Sequence, residues 1–222
     1  MFEFEKIYLV WRKGAGGRRT AVGELIRSAN DRYTFRYLPQ AKELKKKEGF
    51  LPYTEFQSFD QTYNGQVVEI FAQRLTKRDR PDVAAYYSFW EVDPSKADDK
   101  FYLLGKTQGL LATDNFEFLA DYQLVPGLRF LTEVASLSAL KLPKGSLQVG
   151  DELRFELEAN NPVDSQAVKL FKQDQHVGYV KRYHGNVFSE VGADKLRVTV
   201  KAIEQNGYVK RVFIRVELPV SL

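Results

Sequence analysis

The residues whose types and spacing can do chemistry lie mostly in the second half of this chain. Asn160-Asn161-Pro162-Val163-Asp164 sets amide and carboxylate side chains around a proline, and such side chains hydrogen-bond their own backbone and fix the direction of a loop. Lys169 follows on an extended segment, and after it comes Val177-Gly178-Tyr179-Val180-Lys181-Arg182, an aromatic and two cations behind a glycine. A glycine inside a strand marks a place where another backbone crosses closely.

Other chemistries are poorly provided for. The 222 residues contain no cysteine and two histidines, which excludes disulfide frameworks, thiol catalysis, iron–sulfur clusters and the common structural zinc sites. His176 and His184 stand eight residues apart, and no acid–nucleophile pairing can be named for either. Neither a metal nor a cofactor is expected. Gly14-Ala15-Gly16-Gly17-Arg18-Arg19 is glycine-rich and basic, but no helix follows it, so it reads as a mobile hairpin tip, with a basic finger onto phosphate as the alternative. Lys45-Lys46-Lys47 reads as a solvated face or as electrostatic steering, and Tyr86, Tyr87 and Trp90, at helical spacing, read as core.

Composition agrees with a folded binding protein. At 44% hydrophobic, 14% aromatic and 28% charged residues the chain is not disordered. The net charge of +4 permits an anionic partner without requiring one, and most of that excess falls after residue 123. The N-terminus has acidic residues where a secretory signal needs basic ones, and no stretch approaches the ~18–20 apolar residues of a membrane span. A cytoplasmic location without membrane association is expected.

The elements that must position these residues fall into two parts, residues 1–123 and 127–222, with Pro126-Gly127 as the junction. In the first, Lys6–Arg12, Thr20–Arg27 and Arg32–Tyr37 alternate as strands and predict a three-stranded antiparallel meander. A short, charged helix or turn is predicted over 40–48 and helices over 67–75, from Asp82 and over 99–104, with an extended segment at 109–112, making an α+β unit. In the second, Arg129–Ser138, Asp151–Glu158, Ala167–Lys172, His176–Lys181, Leu196–Glu204 and Tyr208–Leu218 read as strands, and Arg182–Val191 as one short helix. Asn206-Gly207 is the strongest hairpin signal. This mainly-β part predicts a small barrel or strongly curved sheet with one helix.

The run from Gly150 through Asn160-Asn161-Pro162-Val163-Asp164 and Ala167-Val168-Lys169, then Gly178-Tyr179-Val180-Lys181-Arg182, resembles the HIRAN domain over roughly residues 130–218. The resemblance implies a mainly-β small barrel of OB-like shape that binds nucleic acid, in the best-known members single-stranded DNA at its 3′ end. It places Asn161 and Asp164 in the binding loop and Tyr179 and Arg182 at the positions after the glycine. Asp164 would then accept from a terminal hydroxyl, Tyr179 would stack on a base, and Lys169, Lys181 and Arg182 would meet phosphate. The sequence departs from end-binding members at two places. Val134–Leu140 lacks the basic and aromatic residues of their first strand, and Val163 stands for an aromatic. Base stacking contributes ~1–3 kcal/mol per base, so Phe130, Phe188 or Tyr208 would have to supply the missing platforms.

In the first part, Val22-Gly23-Glu24-Leu25 followed by Phe35-Arg36-Tyr37 resembles the N-terminal subdomain of HipA-type kinases over about residues 5–120. No kinase catalytic loop or phosphate cradle is present, so that resemblance implies a non-catalytic surface for a kinase-like toxin, as in toxin–antitoxin pairs. The leading expectation is a non-catalytic accessory protein that binds single-stranded DNA or DNA ends. The alternatives are a protein-interaction module with the barrel as scaffold and, less favoured, an enzyme for which no reaction can be named.

Overall fold

The computed structural model describes residues 2–14 and 17–219. The chain divides into two compact units, Phe4–Asp121 and a second that runs from Tyr122 onward and includes Glu3.

The first unit is an antiparallel five-stranded sheet with helices. Strands β1 (Lys6–Trp11), β2 (Thr20–Ser28) and β3 (Arg32–Tyr37) form the predicted meander. The tip between β1 and β2 includes Ala15 and Gly16, which lie outside the described residues. Gly23 is where β2 meets the ring of Phe35 on β3; a Cβ there would come within 2.6 Å of that ring. Helix α1 (Gln40–Glu48) ends at Gly49 with φ +75° and leaves Lys45, Lys46 and Lys47 exposed. β4 (Thr62–Asn64) pairs with β3, and α2 (Val67–Ala72) follows. α2 stops short of the predicted Leu75 because the chain turns to send the Arg74 guanidinium to the Gly109 carbonyl at 2.9 Å and to Asp114 at 2.8 Å.

α3 (Val83–Phe89) keeps Tyr86 and Tyr87 half-buried, and only Trp90 at its end is buried as expected of core. α4 (Lys100–Thr107) is capped by Asp99, whose carboxylate accepts from the Tyr102 amide at 3.0 Å. The 109–112 segment is not the extended element that its residues suggest. The strand is β5 (Phe116–Ala120), which pairs with β1 and completes the order β4-β3-β2-β1-β5. Four of its five residues are buried, so it lacks the alternation that marks a half-exposed strand. Phe35, Phe56 and Phe71, with centroids 5.0 Å apart, centre the core.

The second unit is a closed six-stranded antiparallel barrel. β6 (Arg129–Ala135), β7 (Glu152–Glu158), β8 (Ala167–Lys172), β9 (Gln175–Val180), β10 (Arg197–Asn206) and β11 (Tyr208–Glu217) are arranged β10-β11-β6-β9-β8-β7. Closure comes from Val198 and Thr199 of β10 pairing with Leu153 and Glu152 of β7. Gly207, at φ +72°, turns β10 into β11 as its position after Asn206 predicts. Gly178 is the close crossing: a Cβ there would lie 2.3 Å from Val134 Cγ1 and 2.7 Å from the Ala135 carbonyl.

Two local expectations are corrected. After β6 the chain does not stay extended to Ser138; Ser136 at φ +68° turns it into α5 (Leu137–Leu140). Residues 182–191 hold no α-helix. Tyr183 at φ +71° breaks the helical path, and only 3₁₀ turns follow at Asn186–Ser189 and Ala193–Lys195. Among the described residues no helix is long and apolar enough to cross a membrane.

Candidate nucleic-acid interface

β7 begins as a half-buried strand, with Leu153 inward and Arg154 and Glu156 exposed, and runs out of the barrel by Leu157, which is exposed. The chain then has to reverse into β8. It does so through Asn161, whose Oδ1 accepts from the amides of Val163 at 2.9 Å and Asp164 at 3.0 Å. Asp164 continues the turn: its Oδ1 accepts from the Gln166 amide at 3.1 Å and its carbonyl accepts from Ala167 at 3.0 Å. The Asn-Pro-x-Asp sequence therefore builds its loop by side chain to backbone bonds, as its residue types dictate.

The other half of the site is set by strand register. Lys169 on β8 stands opposite Tyr179 on β9, and Glu156 and Glu158 on β7 pair with Lys169 and Ala167. Glu158 becomes the hub. Its carboxylate forms an ion pair with Lys169, accepts from Asn161 Nδ2 at 2.6 Å and accepts from the Tyr179 hydroxyl at 3.1 Å. Those donors, Lys169 first, hold the Glu158 carboxyl down to about 2. The same bond pushes the Lys169 ammonium above its ordinary range. Burial, helped by Glu158, raises the Tyr179 phenol. Arg182 is 41% exposed at its side chain, and its Nε lies 3.3 Å from Asp164 Oδ2.

Five of the six residues singled out in the sequence thus converge: Asn161, Asp164, Lys169, Tyr179 and Arg182. Lys181 does not join them. Its side chain is 1% exposed and its Nζ lies 3.2 Å from Glu133 Oε2. The β6–β9 ladder ends at Val134 and Val180, and Lys181, just past β9, turns its side chain onto Glu133 of β6, where both are buried. Arg211 also pairs with Glu133. Lys181 is a buried structural cation and is not displayed for phosphate.

Glu158 is the residue that sequence reasoning missed. It reads there as one more exposed charge on an alternating strand, and the signal for its role is its position three residues before Asn161. Of the three aromatics considered as stacking platforms, Phe130 is buried in a stack with Tyr122 at 3.9 Å and Phe188 is buried edge-on to Phe155 at 4.8 Å. Tyr208 alone is open, 47% exposed at the tip of the β10–β11 hairpin. Exposed Lys144 reaches that tip, its amide donating to the Gly207 carbonyl at 3.3 Å, and exposed Lys210 lies two residues on.

The closed barrel thus carries an Asn-Pro-x-Asp loop and a glycine crossing with an aromatic and a cation behind it, and the family model that matches this region is that of the HIRAN domain. Residues 127–221 are a HIRAN domain. Two solved structures share similarity. The HIRAN domain of human HLTF is 17% identical with a TM-score of 0.32, the match covering 42% of this chain and 77% of that one. A protein from Lactobacillus plantarum is 20% identical with a TM-score of 0.32, covering 41% of this chain and 95% of that one. Comparison with curated proteins gives no match.

Proposed function

We propose that this chain binds nucleic acid through its HIRAN domain, with single-stranded DNA or a DNA end as the ligand. The observation that carries the reading is the convergence of Asn161, Asp164, Lys169, Tyr179 and Arg182 on one face of the barrel, at the end of β7 and across β8 and β9. Lys169 and Arg182 supply phosphate contacts, the Tyr179 ring supplies a surface for a sugar or base, and the Asn161–Asp164 loop supplies oxygens for hydroxyl groups. Tyr208 is the one exposed ring among the candidate stacking platforms, so base stacking contributes less than phosphate contact and the grip is salt-sensitive.

The reading assigns no covalent chemistry to either unit. In Phe4–Asp121 the buried charges serve the fold: Arg74 binds Asp114, Arg19 reaches Glu117 at 2.9 Å and Arg36 pairs with Glu24. The test is fluorescence anisotropy of the whole chain with a labelled single-stranded DNA oligonucleotide and with duplex, each at several salt concentrations. Saturable, salt-dependent binding that favours the single strand supports the proposal; absence of binding at low salt overturns it.

A further inference from the structure

The donors gathered on Glu158 have the composition of a phosphate site: an ammonium from β8, a phenolic hydroxyl from β9 and a side-chain amide from the loop, all directed at one pair of carboxylate oxygens. A phosphate offers oxygens to the same set of donors. We propose that Glu158 is an internal anion that occupies the phosphate position of this interface and sets how tightly, and with what salt dependence, a nucleic-acid strand is held. The inference rests on the nucleic-acid reading given above.

Asp164 and Glu158 each hold one cation, Arg182 and Lys169, but they are anchored differently. Asp164 is fixed by the Gln166 amide and belongs to the backbone turn, so it cannot leave Arg182 without unmaking the loop. Glu158 is held at its carboxylate by side chains of the site itself, and each of those can exchange one anion for another. Its side chain is partly exposed, which leaves room for it to swing away. As built, the four charges Glu158, Asp164, Lys169 and Arg182 cancel. An incoming phosphate meets a neutral cluster and gains Lys169 only by displacing Glu158. The chain's small net charge thus has a local counterpart at the interface.

The experiment compares wild type with Glu158→Gln, which keeps size and hydrogen-bonding capacity but removes the charge. The probe is a fluorescein-labelled oligothymidylate, titrated at several salt concentrations. Glu158→Gln is expected to bind at least threefold more tightly at low salt, with a log–log salt slope steeper by ~0.7, the value for one added contact to a single strand. The gain should vanish in Glu158→Gln/Lys169→Met. Glu158→Ala serves as a second variant, each being read below its melting transition. Wild-type binding with an unchanged or weaker Glu158→Gln and Glu158→Ala overturns the inference while leaving the nucleic-acid reading standing. A gain that persists without Lys169 overturns it as well. No binding by wild type at low salt overturns the nucleic-acid reading itself, and the inference with it.

Discussion

Lys181 and Glu133 face each other across β9 and β6, ammonium to carboxylate at 3.2 Å, with both side chains buried. A paired charge in the barrel wall is tolerated, whereas a lone one is expensive: removing one partner of a buried pair costs about 3–5 kcal/mol. Glu133→Gln, which takes this carboxylate from both Lys181 and Arg211, is therefore expected to lower the thermal midpoint sharply, and Lys181→Met/Glu133→Gln to recover part of the loss. A melting curve by circular dichroism checks both. A Glu133→Gln barrel as stable as wild type contradicts the assignment of Lys181 to the fold.

Gly178 has no room for a side chain. Its φ of +133° is a conformation that other residues rarely adopt, and a Cβ would strike Val134 Cγ1 and the Ala135 carbonyl. Gly178→Ala is expected to destabilise by about 3 kcal/mol or more from strain and overpacking together, measured by urea unfolding.

Asn161 holds the loop rather than the ligand alone. Asn161→Ala loses two accepted amide bonds and the bond to Glu158, and is expected to cost about 1–3 kcal/mol. Asn161→Asp keeps the accepted bonds and sets a second carboxylate against Glu158. It should therefore retain more stability than Asn161→Ala while weakening oligonucleotide binding. Chemical denaturation and anisotropy on the same samples separate the two effects.

Glu158 gives the interface a specific acid limb. Its carboxyl is held at about 2 in the folded chain against an ordinary 4.5, so its pairing contributes stability that is fully present above 4.5 and is lost as pH falls toward 2. Glu158→Gln should lose that contribution at neutrality and flatten the stability profile in that window. Melting temperatures measured from pH 7 down to the lowest pH at which the chain stays folded test this.

Tyr208 stands open at the tip of the β10–β11 hairpin, which exposed Lys144 meets through its amide and on which Lys210 is exposed two residues on. If its ring stacks on a base, Tyr208→Ser weakens single-strand binding by ~1–3 kcal/mol with little change in salt slope, because stacking releases no counterions. A changed slope with unchanged affinity contradicts that role.

The barrel was largely legible because its strands are half-buried and alternate. Asp151–Glu158 announces itself by charge against apolar residues, and Asn206-Gly207 fixes a hairpin by turn chemistry alone. β5 was not legible. Phe116–Ala120 is buried over most of its length, so period-2 patterning disappears, and its partner β1 is about a hundred residues away in sequence. The helix expected over 182–191 failed at Tyr183, where one positive φ outweighs a plausible helical pattern. At the interface, Asn161 and Asp164 were readable because their chemistry is local. The burial of Lys181 and the hub role of Glu158 were not, since both follow from partners far away in sequence, Glu133 for the one and Lys169 and Tyr179 for the other.

The most direct test of the account is the salt dependence of single-stranded oligonucleotide binding by wild type and by Lys169→Met/Arg182→Gln. If these two side chains meet phosphate, the double variant binds more weakly and its log–log salt slope is shallower by ~0.7 for Arg182, the Lys169 contact being offset in wild type by the Glu158 it displaces. A folded double variant with the wild-type affinity and slope would contradict the proposed interface.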